Sequence, residues 1–356
     1  MTLGPLMVDV AGLELTPEDR EVLGHPLVGS VILFTRNYAS SEQLSRLVAD
    51  IHAVRTPALI VGVDQEGGRV ARLREPWTVW PPLRAVGRTG SEESARGMGR
   101  ALAAELRACG IRCDFAPVMD VDTNPKNPVI GDRAFGPDPE LVGRLGTAMI
   151  AGLQEGGVAA SAKHFPGHGD TDIDSHLNLP AVDHSRARLE EVELPPFRRA
   201  IEAGVAMVMT GHVLVRELDD RLPSTLSPRL LEGLLRQEMK FPGVIVTDDL
   251  EMKAVAEGWG VGKAAGLAVK AGCDLVTVSK TPDLQVAAIE EIVRAAEAEE
   301  VSWEAMDAAA LRLRRLKERF LLPYQDPDPK QARQAAGIGE HRRLAEQIAG
   351  RAGIPA

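Results

Sequence analysis

Eight short runs of apolar residues recur along the chain, and each run leads into polar or charged residues. Within a run the apolar residues are nearly continuous instead of alternating with polar ones. This pattern is typical of strands that are buried on both faces, as in a parallel sheet. The predicted strands are LMVDV (6–10), VGSVILFTRN (28–37), ALIVGVDQEGG (58–68), CDFAPVMDVD (113–122), GVAASAKHF (157–165), AMVMTGH (206–212), GVIVTDD (243–249) and CDLVTVSK (273–280).

Helical patterns separate most of these strands. Ser40 is predicted to cap one helix, with Gln43 completing a capping box and apolar residues at helical spacing behind it. Ser91, which is followed by two glutamates, starts a second helix. Asp138 before a proline starts a third helix, which is predicted to end at Gly156.

Eight strands alternating with helices predict an α/β fold, a single-domain (β/α)8 barrel of the TIM type over residues 1–322. A doubly wound sheet is the rival fold. It needs a phosphate-binding glycine turn after the first strand, and VDVAGLELT has none. Beyond the barrel, residues 323–356 are predicted to form a C-terminal tail with a terminal helix near 330–350, which packs on the barrel or extends from it.

Composition narrows the classes of function. Of the 356 residues, 44% are hydrophobic and 26% are charged, so a large core is available. The net charge is −10 without a long basic run, which argues against a surface for nucleic acid or for an anionic membrane. The chain begins without a signal-peptide pattern, has no apolar run of about 20 residues, and contains three cysteines. These features suit a protein of the cytoplasm, and we also expect a monomer.

The carboxyl ends of the strands carry the chemistry in a barrel of this type. The residues at these predicted ends are Asp64, Asp120, Lys163, His164, His212, Asp248 and Ser279. They are far apart in the sequence, but the fold would bring them to one mouth of the barrel.

The segment KHFPGHGDTDIDSHLNLP (163–180) crowds histidines and aspartates together without a helical or strand period. Three interpretations stay open: a metal site, a proton-transfer pair and a solvated polar loop. For a metal site, His164 and His168 are four residues apart, but the proline and glycine between them disfavour the helix that would align them. For proton transfer, Asp174 precedes His176 by two residues and can bond one ring nitrogen, which leaves the other nitrogen for a substrate. Glycines in the segment would let it move.

The run VIVTDDLEM ends on two adjacent carboxylates, Asp248 and Asp249. Successive side chains on a strand point in opposite directions, so only one of the two can face the mouth. A carboxylate in that place can attack the anomeric carbon of a sugar and form a covalent intermediate. Asp248 is the candidate, and Asp249 is predicted to be the N-cap of the following helix.

Five further residues have the chemistry to hold a polyhydroxylated ligand. A carboxylate accepts hydrogen bonds from hydroxyl groups, while arginine and lysine donate to hydroxyl, carbonyl and carboxylate oxygens. The candidates are Asp64, Arg72, Arg133, Lys163 and His164. Each arginine could equally be a surface residue or a brace.

Several long motifs resemble glycoside hydrolase family 3, in the branch of NagZ-type bacterial β-N-acetylglucosaminidases. They are GPLMVDVAGLELTPEDREVLGHPLVGSVILFTRNY, VDQEGGRVAR, KHFPGHGDTDIDSH and VTDDLEM, and the resemblance runs from about residue 3 to about residue 320. It implies a retaining, exo-acting hydrolase that removes a terminal β-linked N-acetylglucosamine without a metal or other cofactor. The implied substrates are cell-wall turnover fragments in the cytoplasm, in which this sugar is linked to anhydro-N-acetylmuramic acid with or without peptide.

The resemblance also implies roles for individual residues. Asp248 falls on the nucleophile, and His176 with Asp174 falls on the acid/base pair of a mobile loop. The sugar-binding positions fall on Asp64, Arg72, Arg133, Lys163 and His164. Many members of the family carry a second α/β domain that donates the acid/base, and this chain has no room for one after the barrel, so the loop must supply it.

Three alternatives stay open, of which the first two belong to other classes of function. They are a metal-dependent barrel hydrolase, a catalytically inactive sugar-binding barrel, and a phosphorylase that uses phosphate in place of water. The last one is chemically reasonable because a neutral imidazole beside a glycosyl-enzyme repels anions less than a carboxylate would.

Overall fold

Eight parallel strands form a closed barrel in the computed structural model, which describes residues 4–354. Each strand lies beside the next one in the sequence, and the last strand closes the barrel against the first. The strands are β1 (Leu6–Val8), β2 (Val28–Leu33), β3 (Ile60–Val63), β4 (Cys113–Asp114), β5 (Ala159–Phe165), β6 (Met207–Thr210), β7 (Val244–Asp249) and β8 (Leu275–Thr277). Each lies inside one of the eight apolar runs, so the predicted (β/α)8 barrel is confirmed and the doubly wound sheet is excluded.

Helices surround the barrel, with the longest between successive strands and after the last one. The α-helices are α1 (Pro17–Gly24), α2 (Ser41–Ala53), α3 (Leu83–Thr89), α4 (Glu92–Ala108), α5 (Pro139–Glu155), α6 (Arg186–Arg188), α7 (Leu194–Glu202), α8 (Lys253–Trp259), α9 (Val261–Ala271), α10 (Pro282–Glu297), α11 (Trp303–Phe320), α12 (Pro329–Ala335) and α13 (Gly339–Arg351). Two π-helical segments, Leu189–Glu193 and Arg229–Glu238, complete the ring.

The predicted helix starts are confirmed in detail. Ser40, Ser91 and Asp138 are N-caps whose side-chain oxygens accept backbone N–H bonds from the first turn of α2, α4 and α5. The capping box at Gln43 differs from the prediction, because its side chain accepts from the amide of Ala39, at 2.9 Å, instead of from the N-cap residue.

The C-terminal segment contains two helices, α12 and α13, where the sequence predicts one. Gly337 lies between them with φ of 60°. This left-handed conformation ends the first helix, and only glycine adopts it without a steric cost. The buried carboxylate of Glu105 in α4 accepts from the Gly337 amide at 3.1 Å and contacts Nδ1 of His341 at 3.0 Å. Both helices therefore pack on the barrel, while a domain division after residue 322 stays a prediction. Among residues 4–354, no helix combines the length and apolarity needed to cross a membrane.

Candidate active site

The carboxyl ends of the strands surround two cavities of about 290 and 250 Å³ that share part of their lining. Both are lined by Asp64 after β3, Asp248 near the end of β7, and His176 from the loop after β5. Both are also lined by Arg72, which follows a short antiparallel hairpin (Gln65–Gly67 with Val70–Ala71). The predicted nucleophile and the predicted acid/base histidine therefore face the same space, although 72 residues separate them in the sequence (248 − 176).

Five charged side chains are connected at the floor of the smaller cavity, and all of them except Glu66 line it. The ammonium group of Lys163, at the buried end of β5, lies 2.9 Å from Asp64 and 2.6 Å from Glu66. Arg133 donates two hydrogen bonds to Glu66, at 2.9 and 2.8 Å. Arg72 donates to the second oxygen of Asp64 at 3.1 Å. Four of the predicted sugar-binding residues, Asp64, Arg72, Arg133 and Lys163, are thus connected to one another, with Glu66 as the link between Arg133 and Lys163.

Opposite charges keep both carboxylates ionised, although Glu66 is fully buried and Asp64 is partly buried. Burial alone would raise the pKa of Glu66, but the charges of Arg133 and Lys163 outweigh it and hold the pKa well below the usual range. Burial likewise opposes the ionised form of Asp64, and Lys163 and Arg72 lower its pKa overall. Fixed carboxylates beside fixed cations suit a ligand whose hydroxyl groups both donate and accept hydrogen bonds.

The sequence interpretation missed Glu66. It stands two residues after Asp64 in the quoted run VDQEGG, and residues two apart on an extended segment point to the same side. This two-residue spacing from Asp64 is the sequence signal that could have identified Glu66. Its side chain is 1% exposed, and no other residue of the floor contacts both Arg133 and Lys163.

The predicted binding residue His164 is held by a second buried carboxylate. Its Nδ1 lies 2.7 Å from Asp120, and its Nε2 lies 3.3 Å from Arg133. Burial would raise the pKa of Asp120, but His164 outweighs this effect and lowers it. The ring is therefore fixed against the sugar-binding floor.

The surroundings of Asp248 favour its ionised form. Burial would raise its pKa, but the nearby imidazoles of His164 and His212 lower it overall. Its Oδ1 also accepts the amide N–H of Asp249 at 2.8 Å, which orients the carboxylate. His212 lies behind it, with Nε2 3.0 Å from the Asp249 carbonyl oxygen and Nδ1 2.7 Å from the Thr225 hydroxyl.

The prediction that Asp249 caps the next helix is wrong. The N-cap of α8 is Met252, which makes no side-chain cap. Asp249 instead accepts a hydrogen bond from the Ser279 hydroxyl, at 2.6 Å, and from the Glu251 amide, at 3.0 Å. A turn, closed by the Met252 amide on the Asp249 carbonyl oxygen, separates β7 from α8, and the Asp249 carboxylate braces the segment that follows β8.

The acid/base pair has the predicted contact. Nδ1 of His176 lies 2.9 Å from Asp174, whose carboxylate also accepts the His176 amide at 2.8 Å. Burial would raise the pKa of Asp174, but these hydrogen bonds outweigh it and lower the pKa. The side chains are 60% and 29% exposed, so the pair lies at the entrance of the cavity instead of on its floor.

Two glycines at the base of the loop are required there, one by its backbone conformation and the other by close packing. Gly167 has φ of 135°, which side chains rarely adopt. A β-carbon on Gly169 would lie 1.9 Å from the carbonyl oxygen of Val121. Within the described residues, no three histidine, cysteine, aspartate or glutamate side chains are grouped so that they could hold a metal ion.

One known protein family matches most of this chain. Residues 5–316 match the N-terminal domain of glycosyl hydrolase family 3. The chain belongs to glycosyl hydrolase family 3. A curated β-hexosaminidase of Nitrosomonas eutropha is similar, with 44% identity over 289 residues, which are 80% of this chain and 82% of that protein.

Solved structures of family 3 proteins are similar over nearly the whole chain. NagZ from Neisseria gonorrhoeae superposes with a TM-score of 0.83 at 36% identity and covers 99% of this chain and 98% of its own. A β-N-acetylglucosaminidase of the family from Paenibacillus sp. str. FPU-7 gives a TM-score of 0.91 at 41% identity, over 98% of this chain and 67% of its own. These similarities confirm the predicted family and the prediction of a glycoside hydrolase of the β-N-acetylhexosaminidase type.

Replacing Glu66 with glutamine in this family 3 enzyme is expected to lower the free energy of unfolding by about 3 kcal/mol, because Arg133 and Lys163 lose their shared buried carboxylate. Urea unfolding at pH 7 measures the difference. Glu155→Gln is the matched control, since its ion pair with Arg96 is exposed and should contribute little. A Glu66→Gln variant as stable as the wild type would contradict the structural role given to this residue.

The effect of Glu66 on stability should depend on pH. Its pKa is lower in the folded state than in the unfolded chain, so its contribution is complete above the unfolded value of about 4.3 and is lost as the pH falls through the lower folded value. The difference between the wild type and Glu66→Gln is therefore expected to be roughly 2 kcal/mol smaller at pH 3 than at pH 7. A difference that stays constant over this range would show that Glu66 does not titrate as described.

Proposed function

We propose that the chain is a retaining exo-β-N-acetylglucosaminidase with Asp248 as the nucleophile and the His176–Asp174 pair as the acid/base. One observation carries the proposal: Asp248 and His176 line the same two cavities, and the smaller cavity is also lined by the binding candidates Lys163, His164 and Arg133. A sugar held on that floor would have its anomeric carbon between the partly buried carboxylate of Asp248 and the exposed imidazole of His176. That is the arrangement a double-displacement mechanism requires.

In the first step, Asp248 attacks the anomeric carbon and the bond to the leaving oxygen breaks. His176, protonated and oriented by Asp174, gives its Nε2 proton to that oxygen, so the aglycone departs as a neutral alcohol. The sugar is left attached to Asp248 through an ester bond. The lowered pKa of Asp248 supports this role, because a nucleophilic carboxylate must be ionised at neutral pH.

In the second step, neutral His176 takes a proton from water while the water oxygen attacks the same carbon. The bond to Asp248 breaks, the carboxylate is restored, and N-acetylglucosamine leaves. Two inversions at one carbon give net retention of the β configuration. His176 is protonated again at the end, so the cycle closes without another proton source.

Substrate binding is assigned to Asp64, Arg72, Arg133, Lys163 and His164. Each of these side chains lines the smaller cavity, where their polar atoms can exchange hydrogen bonds with the sugar hydroxyl groups. We expect the ion pairs of the buried Lys163, which lines the cavity, to block a second sugar on that side. A blocked end favours removal of terminal residues.

The substrate class and the compartment follow from the resemblance to NagZ-type enzymes. We infer that the aglycone is the anhydro-N-acetylmuramic acid part of cell-wall turnover fragments, with or without peptide, and that the enzyme works as a monomer in the cytoplasm. The exposed position of His176 at the cavity entrance supports a bulky aglycone, because the leaving group would extend outward past it.

Water, not phosphate, is the proposed acceptor. The neutral imidazole removes one source of anion repulsion, but the lowered pKa of Asp174 keeps a negative charge next to it. An incoming phosphate would meet that charge as well as the negative charge regenerated on Asp248. Water is uncharged, so neither carboxylate repels it.

Proton NMR of N-acetylglucosamine release from the β-linked disaccharide with anhydro-N-acetylmuramic acid tests the proposal. The expected first product is the β anomer, and phosphorus NMR in phosphate buffer should detect no sugar 1-phosphate. An α anomer would exclude retention, and a sugar 1-phosphate would favour the phosphorylase. Loss of activity on chelation that zinc restores would favour a metal-dependent hydrolase, and sugar binding without hydrolysis would favour an inactive barrel.

A further inference from the structure

The outer part of the loop that carries the acid/base pair, residues 172–179, is here called the arm. Most of its hydrogen bonds stay inside it, since the amides of His176, Leu177 and Asn178 all bond to Asp174. Within the described residues, every hydrogen bond between the arm and the rest of the chain involves Ser175.

Ser175 is held from two directions. It is 3% exposed although it stands between Asp174 and the largely exposed His176. Its carbonyl oxygen accepts the amide N–H of Ala254 in α8 at 3.2 Å. Its hydroxyl lies 3.2 Å from Nε2 of His168 at the base of the loop. The arm is therefore tethered at the one residue that lies between the two members of the pair.

His168 is itself fixed, so it can act as an anchor. Its amide donates to Asp120 at 2.7 Å, and its carbonyl oxygen accepts from Asn127 at 2.8 Å. Its Nδ1 lies 2.6 Å from the Thr171 hydroxyl. Burial lowers its pKa to about 4, so the ring is neutral at neutral pH and bonds one hydroxyl as donor and the other as acceptor.

The same anchor supports the sugar-binding floor. Asp120 accepts from the amides of both His164 and His168, and its other oxygen contacts the His164 ring at 2.7 Å. The two imidazole rings meet edge to face with centroids 6.0 Å apart. Any displacement of His168 would therefore be opposed by the residues that bind the substrate.

We propose that His168 and Ser175 are positioning residues, which form a latch that holds the acid/base pair at the mouth of the cavity. The latch rests on the proposed function, because it acts through His176. Neither residue touches the reacting atoms in this assignment. Their role is to raise the fraction of time during which the His176 ring is in place to transfer a proton.

Loss of the latch should affect proton transfer and spare sugar binding. Without the Ser175 hydroxyl the arm keeps a single backbone tether, and the rate of every step that needs His176 falls with the fraction of molecules in which the arm is seated. The side chains assigned to sugar binding make no hydrogen bond with the arm; they are Asp64, Arg72, Arg133, Lys163 and His164. The affinity for the free sugar should therefore change little.

The test compares kcat/KM of Ser175→Ala on two substrates with different leaving groups. On a disaccharide, whose leaving group needs protonation, we expect a fall of about ten- to hundredfold, a part of the roughly 10²- to 10⁴-fold that a general acid contributes. On the 2,4-dinitrophenyl glycoside, which needs almost no protonation, the expected fall is less than about threefold. Inhibition by N-acetylglucosamine should be unchanged.

Asn178→Ala is the matched control in the same arm, because its side chain bonds only the neighbouring Leu179 amide. It should behave like the wild type on both substrates. Equal losses on the two substrates for Ser175→Ala, or no loss on the disaccharide, would overturn the latch. A wild-type enzyme that releases no sugar from either substrate would overturn the proposed function instead.

If Ser175→Ala folds poorly, a double-mutant cycle with two other substitutions keeps the proposal testable. Ser175→Cys keeps the side-chain volume but bonds weakly, and His168→Gln removes the ring from the other side. If the two groups act as one latch, the double variant should lose no more disaccharide activity than the worse single variant. Losses that multiply would show that the residues act separately and would overturn the pairing.

Discussion

Replacing Asp248 with alanine is expected to reduce kcat/KM by about four to six orders of magnitude while the fold is retained, because the covalent route is removed. The carboxylate is partly buried at the mouth of the barrel, oriented by the Asp249 amide and kept ionised by neighbouring imidazoles. None of these contacts holds two elements together, so the loss should appear in catalysis and not in stability. Initial rates on the disaccharide, with unfolding curves for both proteins, measure the two effects.

The adjacent carboxylate supplies the control for this prediction. Asp249→Asn keeps an oxygen for the Ser279 hydroxyl and should retain most of the activity, since Asp249 braces β8 in our assignment. Mass spectrometry after reaction with a slow fluorinated N-acetylglucosamine analogue should find the sugar on Asp248. A label on Asp249, or near-normal rates in Asp248→Ala, would assign the nucleophile elsewhere.

The barrel could be predicted because short stretches of the sequence are enough to identify its strands and helices. Each strand is a continuous apolar run. Ser40, Ser91 and Asp138 mark the starts of their helices, because each side chain accepts a hydrogen bond from an amide no more than three residues later. The carboxyl ends of parallel strands meet at one mouth whatever the loops do, so the residues at those ends could be expected to converge. Asp64, Lys163 and Asp248 do line the same cavity.

Other features depend on contacts between distant parts of the chain, which no local pattern reports. Asp249 looks like an N-cap from the sequence, but a bond to Ser279 from the next strand decides its orientation. Glu66 gains its role only because Arg133, 67 residues later, folds back onto it. Ser175 looks like an ordinary loop serine until His168 and α8 are seen to hold it. The sequence therefore gives the candidates for chemistry more readily than the residues that position them.

The imidazole of His176 is the second group whose removal should have a large effect. In His176→Ala, kcat/KM on the disaccharide is expected to fall about 10²- to 10⁴-fold, because the leaving oxygen must depart without a proton. The 2,4-dinitrophenyl glycoside should lose far less, since its leaving group is already a weak base. Use of kcat/KM confines the comparison to the first chemical step, so a slow second step does not hide the contrast.

Asp174→Asn tests whether the histidine works as part of a pair. The variant keeps the imidazole and an oxygen at the 2.9 Å contact but removes the charge that stabilises the protonated ring. Its activity on the disaccharide should lie between those of the wild type and His176→Ala, and the double variant should resemble His176→Ala alone. If His176→Ala loses equally on both substrates, the proton comes from another group, and the loop at the cavity entrance binds the substrate without taking part in the chemistry.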